Sequence, residues 1–125
     1  DSNVVPGVAV RERMMPMLFT KTATNRVKPA QVQDMLANRI PFVLLDVRTR
    51  EEHAGGHIPG STLLPLDQLP SKAATTLPDR NTKIVVDCAS GGRSAQAARF
   101  LAQLGYTDVS DLGGIMSWPF QIVGI

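Results

Sequence analysis

The sequence predicts an α/β sandwich around a mainly parallel sheet, and three observations carry that prediction. Two unbroken apolar runs, Phe42-Val43-Leu44-Leu45 and Ile84-Val85-Val86, each lead into an aspartate. Neither alternates as a half-exposed strand would, so both suit strands buried on two faces. Helical spacing of apolar residues stands before the first run and after the second. A short strand-like segment then follows the second helix, so that strands and helices alternate along the chain.

Taken in order, residues 1–26 lack clean periodicity and read as a leader or linker ahead of a domain over 27–125. The Met14-Met15-Pro16-Met17 run within them could pack on the domain or on a partner, but terminal segments are where order is weakest. Lys28-Pro29 opens the first helix, because proline suits the first helical position. Val32, Met35 and Leu36 give it an apolar face. The Phe42–Leu45 strand ends in Asp46, and Lys83-Ile84-Val85-Val86 leads to Asp87-Cys88. Ser94 to Leu104 is expected to be helical, with Ala97, Ala98, Leu101 and Leu104 on one side and Gly105 as its stop. Thr107-Asp108-Val109 is expected to form a third strand.

The 125 residues suffice for one domain with a real core. The formal net charge is +2, and charges of both signs are scattered rather than blocked. That argues against nucleic acid or a membrane surface as partner, and no run approaches the roughly 20 apolar residues of a bilayer span. The single cysteine excludes an internal disulfide and a cysteine-based metal cluster. The chain starts at Asp1 rather than Met, so the compartment stays open, with the cytoplasm favoured and an exported form admitted.

Chemistry concentrates in Cys88-Ala89-Ser90-Gly91-Gly92-Arg93-Ser94, directly after a buried strand and before a helix. In open α/β sheets, ligands bind outside the carboxyl ends of the strands. Two glycines and small neighbours let the loop curl, so that backbone N–H groups converge on one centre as an anion nest. The following helix adds its positive end, and Arg93 brings a permanent cation to the rim. Each feature favours negative charge on the Cys88 sulfur. A lone cysteine is ordinarily a small buried hydrophobe, but such a role needs neither the glycines nor the arginine. Protein tyrosine phosphatases resemble this loop but carry five residues between cysteine and arginine, whereas four, Ala89 to Gly92, stand here. The tighter ring suits a single sulfur better than a tetrahedral phosphate, which leaves phosphatase or arsenate reductase as a runner-up.

Over about Val27 to Trp118 the chain resembles the rhodanese superfamily. Leu45-Asp46-Val47-Arg48, Glu51-Glu52-His53 and Gly56-His57-Ile58-Pro59-Gly60-Ser61 match its first signature, with Ser61 in place of the usual alanine. Cys88 to Ser94 matches its active-site loop, and Gly113-Gly114 with Trp118 its C-terminal motif. The resemblance implies a three-layer sandwich with an approximately five-stranded, mainly parallel sheet flanked by helices. It implies sulfur transfer by double displacement, with Cys88 as nucleophile and the backbone of Ala89 to Arg93 cradling its sulfur. A small anionic donor such as thiosulfate would meet Arg93, and cyanide or a thiol would accept, with a sulfur-relay protein as a further candidate partner. No cofactor is implied beyond the covalent persulfide. A second reading is a persulfide carrier fed by a partner protein, with residues 1–26 helping it to dock.

Asp46 and Arg48 are expected to be a structural pair that holds the loop. Asp87 stands where the family is often aromatic or apolar, and a carboxylate beside the loop would oppose charge on Cys88 unless it points away. His53 and His57 have i, i+4 spacing, but Gly55-Gly56 between them breaks a helix and no third ligand is evident, so no metal site is expected. Trp118 is expected in the core or a pocket wall, after a Gly113-Gly114 turn.

Overall fold

The computed structural model describes residues 24–124. The leader expected over 1–26, with its methionine run, lies outside them up to residue 23. Five strands form one sheet: β1 (Asn25–Arg26), β2 (Val43–Asp46), β3 (Thr62–Leu63), β4 (Lys83–Cys88) and β5 (Asp108–Gly114). Their order is β1-β5-β4-β2-β3 and every pairing is parallel. The sheet therefore takes in Asn25 and Arg26, two residues ahead of the boundary expected at Val27. Four helices flank it: α1 (Pro29–Ala37), α2 (Arg50–Ala54), α3 (Leu69–Thr76) and α4 (Gly92–Gln103).

Side chains alternate along each strand and feed two cores. Leu45, Ile84, Val86 and Cys88 pack against α3 and α4 through Leu69, Ala73, Ala97, Ala98 and Leu101. Leu44 and Val85 pack on the other face with Val32 of α1, Ile58, Leu112 and Trp118. That is the three-layer sandwich. Trp118 is a core residue, as expected.

Three local expectations need correction. α4 starts at Gly92, two residues early, and ends at Gln103. Leu104 is thus its C-cap, 38% exposed and off the apolar face, although Gly105 with φ +96° does stop the helix. Gly113 and Gly114 are the end of β5 and not a turn, for they pair with Asp87 and Cys88. A register shift between Val86 and Asp87 accommodates them, and Gly113 at φ +89° takes the left-handed conformation such a bulge uses.

The strand order positions the site. From β2 the chain goes to β3 on one side, whereas β4 lies on the other. A crevice opens where neighbouring strands diverge in this way, at their carboxyl ends. Asp46, Asp87 and Cys88 stand at that point. Among the described residues no helix is long and apolar enough to cross a membrane.

Candidate active site

Cys88 closes β4 on the α4 side of the sheet and is 1% exposed. Beyond it the chain turns back through Gly91, whose φ of +117° an L side chain rarely adopts. The turn brings the Gly91 N–H to the Cys88 Sγ at 3.0 Å, where it donates a hydrogen bond. Ser94, fully buried, donates its hydroxyl to the Gly91 carbonyl at 3.1 Å and so pins the same turn. Its oxygen serves the loop rather than a substrate. Ser90 and Gly92 are exposed at the rim. The Ala89 carbonyl accepts from the Met116 N–H at 3.2 Å, which ties the loop to the segment after β5. Of the cradle expected from Ala89 to Arg93, the Gly91 amide is the one bonded to the sulfur.

Arg93 does stand on the rim, but it is occupied. Its Nη1 and Nη2 donate to the two carboxylate oxygens of Glu52, at 2.6 and 2.9 Å. Both side chains are about one-third exposed, at 36% and 33%. Glu52 is itself positioned by a capping box at the start of α2. Its Oε1 accepts from the Thr49 N–H at 2.9 Å while its own N–H donates to Thr49 Oγ1. The bonds from Arg93 first, then from the Thr49 backbone, pull the Glu52 carboxyl down to a pKa of about 2 against the small effect of burial. Glu52 carries the signature by position, but nothing in the chain announces a partner 41 residues away.

Asp46 and Arg48 form the pair expected of them. Arg48 Nε and Nη2 reach both Asp46 oxygens at 3.0–3.2 and 2.9 Å, and the Arg48 N–H donates to Oδ1 at 3.0 Å. Nη2 also donates to the Gly56 carbonyl, so the pair holds the loop that follows α2. His53 Nδ1 donates to Asp46 Oδ2 at 2.9 Å, and the His57 ring stacks on it at 3.8 Å while its Nδ1 donates to the His53 carbonyl. Burial alone would raise the Asp46 pKa; the bonds from Arg48 and His53 outweigh it and hold the carboxyl below its usual range.

Asp87 points away from the cysteine. As the residue before Cys88 it projects from the opposite face, beside its register partner Asp46. Neither oxygen has a hydrogen-bond partner, and the residue is 1% exposed. Burial, then the neighbouring Asp46 carboxylate, push its pKa up to about 8, against the pull of Arg48. It is therefore mostly protonated at neutral pH and brings little charge to the sheet beneath the loop. A concavity of about 780 Å³ opens alongside and shares Arg48 and Arg93 with the site, and Cys88 is not one of its walls.

A cysteine at the exit of the central parallel strand, turned under a glycine loop that enters a helix, defines a class of α/β domain that presents one thiol at its switch point. The chain belongs to the rhodanese family: the family model described as "Rhodanese-like domain" matches residues 28–119. It is 37% identical over 71 residues to the thiosulfate sulfurtransferase PspE of Escherichia coli (strain K12), across 57% of this chain and 68% of that protein. It is 37% identical over 95 residues to a sulfurtransferase of Allochromatium vinosum, across 75% of this chain and 87% of that one. Among solved structures, the rhodanese-like domain of the Alr3790 protein from Anabaena sp. aligns with a TM-score of 0.74 at 29% identity. That alignment covers 82% of this chain and 81% of the other.

Proposed function

We propose that the chain is a sulfurtransferase that carries sulfane sulfur as a persulfide on Cys88. The donor is thiosulfate or a similar small anion, and the acceptor is cyanide or a thiol. The observation that carries this reading is the Gly91 N–H aimed at the Cys88 Sγ, at the mouth of a helix. An amide and a helix end placed there stabilise a charged sulfur without a neighbouring base. The names of the relatives support the same chemistry.

In the first step the Cys88 thiolate attacks the outer sulfur of thiosulfate. A bond forms between the two sulfurs, the donor's S–S bond breaks, and sulfite leaves with the electron pair. In the second step the acceptor attacks the outer sulfur of the persulfide, and the Cys88 thiolate is regenerated. The sulfur is held covalently throughout, so the cycle needs no cofactor. With one cysteine in the chain, an internal disulfide cannot discharge the persulfide.

Intact mass after incubation with thiosulfate tests this. A gain of one sulfur, about 32 Da, that cyanide then removes is the result expected of a nucleophilic thiol. Freshly reduced protein that gains nothing from thiosulfate overturns the donor assignment. A gain from a cysteine desulfurase instead would favour the partner-fed carrier, and hydrolysis of an aryl phosphate would favour the phosphatase.

A further inference from the structure

The feature that the transfer chemistry leaves unused is the carboxylate already seated on the rim arginine. We infer that Glu52 is a specificity-determining residue that competes with the anionic donor for Arg93 and so weakens donor binding in proportion to donor charge. This rests on the sulfurtransferase reading, in which Arg93 meets the donor.

Arg93 stands five residues after the cysteine, and its guanidinium fork is closed by the two Glu52 oxygens at 2.6 and 2.9 Å. Guanidinium binds carboxylates and oxyanions through the same two-pronged geometry. An incoming oxyanion must therefore displace Glu52 or bind over a pair whose charges cancel. Glu52 cannot simply drift off, because the Thr49 N–H holds the same Oε1 that Arg93 Nη1 contacts. The pair is one-third exposed, so water and ions reach it and exchange there is open. A resident carboxylate also has a use after the first step. Sulfite leaves as an anion of the same kind as the donor, and Glu52 returning to Arg93 helps to expel it before the acceptor arrives.

The electrostatic origin has a signature that a purely structural role lacks. Removing one negative charge helps a dianion by about twice the free energy it gives a monoanion at the same place. The variant is Glu52→Gln, which keeps the capping box because glutamine serves at that position as well as glutamate does. The background is Cys88→Ser, so that binding is read without chemistry. The probes are thiosulfate, a dianion, and methanethiosulfonate, which presents the same outer sulfur with one charge.

By calorimetry at low salt, Glu52→Gln should tighten thiosulfate about tenfold and methanethiosulfonate about threefold. Adding Arg93→Gln should shrink both gains, because Glu52 then has no guanidinium to occupy and only its through-space repulsion of the anion remains. No tightening, or equal tightening of the two anions, overturns the inference. So does a gain that the loss of Arg93 leaves undiminished. In the enzyme with Cys88 intact, Glu52→Gln should lower KM for thiosulfate without raising kcat and should sharpen inhibition by sulfite. The binding arm uses protein without the thiol, so failure of persulfide formation in the wild type would count against the sulfurtransferase reading alone.

Discussion

Alanine at position 114 should cut sulfur transfer at least about a hundredfold and cost roughly 1–3 kcal/mol of stability. Gly114 lies opposite Cys88 across the β4–β5 ladder, with the active-site loop folded directly against it. A Cβ there would sit 2.4 Å from the Ala89 carbonyl oxygen and 2.7 Å from the Ser90 Cα. These are backbone atoms, so no side chain can swing aside to make room. The backbone at Gly114, with φ −88°, is one that alanine adopts readily. The whole cost is therefore steric, and it falls on the loop. Ala89 and Ser90 must move out, and with them the Gly91 amide that meets the sulfur. A misplacement of about 1 Å at reacting atoms is worth about two orders of magnitude in rate. Gly92→Ala provides the comparison for stability, since a Cβ there meets nothing within 4 Å. Thermal melts of both variants, with persulfide formation followed for Gly114→Ala, check the expectation. A Gly114→Ala protein with wild-type rate and melting temperature would refute it.

Asp87→Asn should stabilise the protein at neutral pH by roughly 2–4 kcal/mol, about 10 °C or more in Tm for a domain of this size. The sign follows from the raised pKa. Asp87 holds its proton to about pH 8 in the folded protein, whereas an ordinary aspartate releases it near 3.8. Between those values the native state binds the extra proton, so stability falls as pH rises from about 4 to about 8 and then levels off. Below 4 both states are protonated and the penalty vanishes. Asparagine removes the titration and sets an amide donor beside the Asp46 carboxylate. The wild-type Tm should therefore fall relative to Asp87→Asn between pH 5 and pH 8. Parallel profiles would mean that Asp87 carries no proton in the fold. Glu52 acts in the opposite sense and at lower pH. Its lowered pKa adds stability above about 4.5, and this is lost as pH falls toward 2; the pair's exposure keeps the amount to about 1 kcal/mol or less.

Much of this architecture can be read from the chain, and the parts that cannot have identifiable reasons. The β2 and β4 runs are continuous apolar stretches, and α1 and α4 are long enough to show a repeat. β1 and β3 have two residues each, too few for any period. α2 has five residues and buries none of them, so apolar spacing is silent. Its start was nonetheless legible, for Thr49 and Glu52 have the spacing of a capping box. α3 buries only Leu69 and Ala73, too sparse a stripe to stand out. At the site, the Asp46–Arg48 pair is local, two residues apart, and was within reach. The direction of Asp87 could also have been inferred, because adjacent strand residues face opposite ways and Cys88 faces the loop. The Glu52–Arg93 bond joins α2 to α4, and only the closed fold brings those two ends together.

One edge of the sheet has a consequence for how this domain meets other chains. β3 offers only Thr62 and Leu63 for pairing, with Pro59 shortly before it and Pro65 shortly after. Strands that short, hemmed in by residues lacking an N–H or by their fixed backbone angle, give an incoming strand almost no template. Recruitment of another polypeptide by β-augmentation is thus closed at that border. Such a protective edge guards against runaway polymerisation through that border of the sheet.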